Sequence, residues 1–150
     1  MTDKERFMNE ALKEAKKAYQ KGEVPVGAII VKDNKIIARA HNQKEEKNNP
    51  LMHAEINAIM KACKKLNSWR LEDAEIYVTL EPCMMCASAI VAARMKKVYI
   101  GTKNEKLGYC GSVINLLEQN NEFKVQKEEG LLKNECQEII KKFFKELRKK

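Results

Sequence analysis

The segment Ala74–Gly101 constrains the fold more than any other part of this chain. AEIYVTL alternates Ile76, Val78 and Leu80, the period of a strand. Pro82 follows and opens a helix predicted to run to about Arg94, since proline suits the first helical turn. KVYIG, at Lys97–Gly101, reads as a second strand. A strand–helix–strand unit of this length joins parallel strands by a right-handed crossover. In such sheets, sites form outside the carboxyl ends of the strands. That places Glu81, Cys83 and Cys86 where chemistry is expected.

The flanking sequence extends this unit into an α/β fold. Thr2 and Glu5 form a capping-box pattern ahead of Phe7, Met8, Ala11, Leu12, Ala15, Ala18 and Tyr19 at helical spacing, and Gly22 ends that helix. GAIIVKDNKIIARA is a hairpin about Asp33-Asn34. Asn42–Pro50 is a polar loop. A helix is predicted over Ala54 to about Leu66, with Ile56, Ile59, Met60 and Cys63 on its buried side. Beyond Gly101 come a loop at Asn104–Ser112, a short helix near Val113–Glu118, a short strand at Phe123–Gln126 and a last helix from about Leu131. A hairpin followed by alternating helices and strands argues for one sheet with helices on both faces. The 150 residues suit a single domain over 1–150, with no internal repeat or linker.

No apolar run approaches the ~18 residues of a membrane span, and MTDKERFMNE lacks the apolar core of a signal peptide. The expected location is therefore intracellular, in the cytoplasm. Five cysteines, an odd number, argue against a disulfide framework there. The net charge of +8 fits either a solvated lysine-rich surface or a polyanionic partner such as nucleic acid.

Two short stretches carry the chemistry. LMHAEINA places His53 and Glu55 at the mouth of the second helix. LEPCMMCASAI places Cys83 and Cys86 one turn apart at the start of the next. The free N–H groups of a helix start stabilise thiolates, the form zinc requires. Three prolines and five cysteines make PCxxC a chance event on the order of 0.003 per chain. His41 is the only other histidine, and Cys63, Cys110 and Cys136 are isolated. His53, Cys83, Cys86 and a water are thus the economical ligand set, the pattern of an open catalytic zinc rather than a closed structural one. Zinc lowers the pKa of water toward ~7. Glu55 is placed to take the proton of that water and deliver it to a substrate whose exocyclic amine leaves as ammonia. A redox CxxC or a structural zinc in a nucleic-acid-binding module are the competing readings.

With His-x-Glu opening one helix and Pro-Cys-x-x-Cys the next, the chain resembles the zinc-dependent nucleoside and nucleobase deaminase superfamily. Within it, the chain resembles the bacterial tRNA-specific adenosine deaminases. That resemblance runs nearly end to end, through EVPVGAII, Asn42, HAE, YVTLEPCMMC, GTKNEKLGYCGS and ECQEIIKKFFKELR. It implies a three-layer α/β/α sandwich around a mixed five-stranded sheet, a homodimer, one zinc per subunit, and conversion of the wobble adenosine of a tRNA anticodon loop to inosine. By motif it makes His53, Cys83 and Cys86 ligands and Glu55 the proton shuttle. It puts Asn42 against the flipped nucleotide and the Ala54 N–H against the base. The family usually carries an acidic residue where this chain has Asn104, near the substrate backbone. That departure bears on strictness for RNA over DNA, which rests on contacts to the 2′-OH.

The tail IIKKFFKELRKK sets Lys141, Lys142, Lys145, Arg148, Lys149 and Lys150 around Phe143 and Phe144. It reads as an amphipathic terminal helix. The resemblance adds a second use, with Phe144 stacking on a splayed base and Lys106 and Arg148 holding phosphates. A free-base or nucleotide deaminase acting on guanine, cytosine or dCMP is the alternative within the superfamily. The charge, the basic aromatic tail and the loop favour tRNA.

Overall fold

The computed structural model describes residues 1–119 and 122–149, so Lys150 of the basic tail lies outside the described residues. The capping box forms as predicted. The Glu5 N–H donates to Thr2 Oγ1 at 3.1 Å and the Thr2 N–H to Glu5 Oε1 at 3.0 Å, opening α1 (Asp3–Gln20). Gly22, with φ of 77°, turns the chain toward β1 (Gly27–Lys32). Asp33 and Asn34 both have positive φ, 52° and 62°, and lead into β2 (Lys35–His41). Two such residues give the hairpin turn whose twist matches its strands. Then come α2 (Ala54–Leu66), β3 (Ala74–Leu80), α3 (Met84–Ala92), β4 (Lys97–Thr102), a 3₁₀ turn (Leu116–Glu118), β5 (Gln126–Glu129) and α4 (Lys133–Arg148).

The five strands form one mixed sheet in the order β2-β1-β3-β4-β5. β1 runs antiparallel to β2 and β3, while β3, β4 and β5 are parallel. Strand alternation divides the core between two faces. Ala28 and Ile30 of β1 join Ala54, Ala58, Ala62, Ala87 and Ile90 of α2 and α3 on one. Ile29 and Val31 join Phe7, Met8, Leu12 and Cys136 of α1 and α4 on the other. This is the predicted α/β/α arrangement, with α2 and α3 on the same face.

Four details depart from the sequence expectations. α3 begins at Met84 rather than Pro82, because the Pro82 carbonyl accepts the Tyr109 N–H at 2.9 Å and the first helical bond runs from Ala87 to Cys83. Residues 113–114 are non-helical, the Val113 N–H donating to the Gly108 carbonyl and the Ile114 carbonyl accepting the Gly111 N–H, so only Leu116–Glu118 of the expected short helix is helical. The last strand is Gln126–Glu129, not Phe123–Gln126; Phe123 stacks under the Arg94 guanidinium at 3.9 Å instead of pairing with β4. The buried face of α2 is Ala54, Glu55, Asn57, Ala58 and Ala62, whereas Met60 is 50% exposed and Ile56, Ile59 and Cys63 are half-buried. The alanine stripe lets the helix lie close to the sheet; Ile59 and Cys63 pack against the core beside it, and Met60 turns outward.

Close approach also governs α1. A Cβ on Gly27 would run into the Ala11 carbonyl oxygen and lie 2.5 Å from the Ala15 nitrogen. Gly27→Ala is expected to destabilise the protein by about 3 kcal/mol, the upper range for overpacking, because rigid backbone must move. Urea denaturation of the variant checks this; a change below 1 kcal/mol would contradict it.

Candidate metal centre and active site

His53 is the N-cap of α2 and Cys83 the N-cap of α3, and neither side chain makes a capping hydrogen bond. Both are therefore free to turn toward each other above the carboxyl end of β3. His53 Nδ1 lies 3.7 Å from Cys83 Sγ and 3.6 Å from Cys86 Sγ. Zinc–sulfur bonds of ~2.3 Å and zinc–nitrogen bonds of ~2.05 Å at a tetrahedral angle separate sulfur from nitrogen by about 3.6 Å. The donor set fits zinc. Among the described residues it is the only such cluster of three or more His, Cys, Asp or Glu donors, its ligand atoms all within 4.8 Å of one another. His41 is engaged elsewhere, its Nδ1 at 3.0 Å from Glu14 Oε1. Cys110 and Cys136 are fully buried in the core and Cys63 is half-buried.

Electrostatics divide the cluster. The hydrogen bond from Cys86 brings the Cys83 thiol down to about 4, against the opposing effect of burial, and His53 assists. The same hydrogen bond, with burial, pushes the Cys86 thiol up. The two sulfurs thus hold one proton between them, and a dication that needs both as thiolates displaces it. The hydrogen bond to Cys83 raises His53. Glu55, 3% exposed, is pushed up to about 7, first by burial and further by the negative charge of Cys83. A carboxyl in that range can both take and give a proton near neutral pH.

Asn42 and Ala54 are bonded to each other. The Ala54 N–H donates to Asn42 Oδ1 at 2.7 Å, and Asn42 Nδ2 donates to the Val24 carbonyl at 3.0 Å. Asn104 shapes a turn, its Oδ1 accepting the Leu107 N–H at 3.2 Å, and Lys106 is exposed on the same loop. Phe144 and Arg148 are exposed on α4, across the sheet from α2 and α3, so the fold does not bring them to the cluster. Phe143 turns inward, its ring 6.1 Å from that of Tyr19, and Phe144 is the outward one of the pair.

Sequence reasoning found no partners for two buried carboxyls. Glu23 accepts the N–H groups of Glu45 and Glu46, at 3.1 and 2.7 Å. Glu81 accepts those of Asn104, Cys110 and Ser112, at 3.1, 3.0 and 3.0 Å. The position of Glu81 at the end of β3 was a signal, but its partners lie more than twenty residues away and nothing in the local pattern reports them.

A mixed five-stranded sheet with His-x-Glu and Cys-x-x-Cys meeting at two helix starts defines a hydrolytic deaminase of the cytidine deaminase-like fold. The MafB19-like deaminase family model matches residues 2–148. The tRNA-specific adenosine deaminase of Bacillus subtilis (strain 168) is 51% identical, over 100% of this chain and 94% of that protein. That of Aquifex aeolicus (strain VF5) is 48% identical, over 97% and 96%. A structure solved in a study of A-to-I editing by tRNA:A34 deaminases at the wobble position superposes with a TM-score of 0.86. It is 41% identical, covering 89% of this chain and 98% of that one. The guanine deaminase of Bacillus subtilis, 42% identical, superposes with a TM-score of 0.63 over 66% of this chain and 64% of its own. The chain belongs to the tRNA-specific adenosine deaminase family.

The pH dependence of stability follows from Glu55. Its carboxyl binds a proton more tightly folded than unfolded, so its contribution is complete below the ordinary value of 4.5 and is lost as pH rises through about 7. Metal-free Glu55→Gln is expected to exceed metal-free wild type by about 3 kcal/mol at pH 8 and to lack the decline between pH 5 and pH 8. Parallel urea titrations at the two pH values measure this.

Proposed function

We propose that this chain is a zinc-dependent hydrolase acting as one catalytic domain on tRNA, converting the wobble adenosine of an anticodon loop to inosine with release of ammonia. One observation carries this reading: a buried Glu55 beside a His53–Cys83–Cys86 triangle of zinc dimensions, in a chain matched along its full length by tRNA-specific adenosine deaminases.

His53 Nδ1 and the sulfurs of Cys83 and Cys86 would hold the ion. When bound, zinc supplies the Lewis acidity that turns water into a nucleophile at neutral pH. Glu55 performs the proton transfers. It accepts a proton from the water that adds to C6 of adenine and passes it to the ring nitrogen. It then carries the water's second proton to the exocyclic amine, which departs as ammonia while the C6 oxygen becomes the inosine carbonyl. Burial keeps the Glu55 carboxyl near neutrality, so both directions are accessible. Asn42 would contact the flipped nucleotide, and the Ala54 N–H would help read the base. They can serve the substrate only by sharing or exchanging the 2.7 Å bond they now make with each other.

Nucleic-acid grip falls to Asn104 and Lys106 on one loop and to Phe144 and Arg148 on α4. Exposure of Phe144 suits it to stacking on a splayed base. A homodimer would cover the outward apolar residues of the α2–α3 face, Met60 and Met84, which are 50% and 58% exposed. Among the described residues no helix is long and apolar enough to cross a membrane, and we place the enzyme in the cytoplasm.

Glu55→Ala tests the chemistry. Zinc should remain at one per chain and binding of a tRNA hairpin should stay within threefold. Inosine formation should fall by ~10²–10⁴, the range for a lost general acid–base group. Survival of turnover would remove Glu55 from the role. Lys145→Ala combined with Arg148→Ala should weaken hairpin binding and reduce the slope of log affinity against log salt by about 1.4, at ~0.7 per phosphate contact on a single strand. An unchanged slope would exclude phosphate contacts by this pair.

A further inference from the structure

We propose that Glu81 is a positioning residue: its buried carboxyl fixes the loop at 103–112 that walls the candidate active site, and so sets how well substrate is held rather than how fast it reacts. The inference rests on the deaminase reading above.

Glu81 is 3% exposed, and among the described residues it forms no ion pair. Its partners are all loop groups. Oε1 accepts the Asn104 N–H at 3.1 Å and the Ser112 hydroxyl; Oε2 accepts the N–H groups of Cys110 and Ser112, both at 3.0 Å. The start, the middle and the end of the loop thus converge on one side chain. The main chain reinforces this, with the Glu81 N–H donating to the Thr102 carbonyl and the Tyr109 N–H to the Pro82 carbonyl, each at 2.9 Å. Gly108 packs so closely on the carboxyl that a Cβ there would collide with it. A buried carboxyl is costly unless every oxygen is matched by donors. Here the donors come only from this loop, so the loop has one shape that satisfies Glu81. Glu81 is also two residues before Cys83, and its own main chain ties the loop to the zinc-donor set. Asn104, to which the reading above gives a substrate contact, has its backbone held at one end of the clamp.

The experiment compares wild type, Glu81→Gln and Ser112→Ala as zinc-loaded enzymes on a tRNA anticodon stem-loop. Glutamine keeps the length of the side chain but replaces one acceptor by a donor, leaving at least one loop N–H unmatched. KM is expected to rise about tenfold in Glu81→Gln and two- to threefold in Ser112→Ala, with kcat within threefold and zinc at one per chain. Trypsin should cut after Lys103 and Lys106 at least fivefold faster in Glu81→Gln. A fall in melting temperature and in apparent kcat with KM unchanged would mean a structural role only, and would overturn the inference, as would unaltered cleavage at Lys103 and Lys106. Ser112→Ala, a milder change, answers the question if Glu81→Gln does not fold. Failure of the deaminase reading looks different: wild type itself would make no inosine.

Discussion

Two helix starts facing each other across a few ångströms hold the site together. His53 caps α2 and Cys83 caps α3, yet neither uses its side chain to satisfy its own helix. The side chains remain available to meet, and the positive ends of the two helices favour negative charge between them. The separation of His53 Nδ1 from the two sulfurs, 3.7 and 3.6 Å, is set by how both helices rest on the sheet. Ala54, Ala58, Ala62 and Ala87, all fully buried, set that height. A larger side chain at any of them would lift its helix and spread the donors. The composition of the α2–α3 layer is in this sense part of the candidate metal site.

Much of this was legible in the chain because each element carries its own punctuation. The Thr2–Glu5 box, the Asp33-Asn34 turn and the alternation of Ile76, Val78 and Leu80 are local signals, and α1, the hairpin, α2, β3 and β4 lie where those signals put them. Spacing alone sufficed to gather His53, Cys83 and Cys86, since each stands at the head of a helix that the crossover returns to one end of the sheet. The misreadings share a different cause. Whether Met60 or Ala58 faces the core depends on how near α2 comes to β1 and β2, and periodicity cannot distinguish a wide apolar stripe facing in from one facing out. The start of α3 depends on a carbonyl claimed by Tyr109, and the position of β5 on where Gln126 meets Lys96 beside β4. Those are contacts between distant parts of the chain.

The buried acidic residues show how one side-chain type serves several ends. Glu14 is matched by Lys17 at 2.7 Å and His41 at 3.0 Å, an ion-paired solution at the edge of the sheet. Glu23 and Glu81 are matched by backbone N–H groups, on the loops that precede His53 and follow β4 respectively. Glu23 and Glu81 thus have fixed sets of backbone partners. Glu55 instead faces an imidazole and two sulfurs whose protonation changes on metal binding, and its carboxyl is pushed up to about 7. A carboxyl with settled donors builds structure; one whose neighbours trade protons can move them.

The same distinction clarifies Asn104. Its Oδ1 accepts the Leu107 N–H, its carbonyl accepts the Gly108 N–H at 2.7 Å, and its own N–H is held by Glu81. An acidic side chain at this position offers an equivalent inward oxygen, so the turn is built the same way by either residue. Asparagine and an acidic residue differ only in the other half of the side chain, where an amide donor replaces a carboxylate oxygen. Beside a polyanion that exchange removes a repulsion and adds a donor. On the proposed reading that exchange acts on the grip of the substrate backbone, and the shape of the loop is left to Glu81.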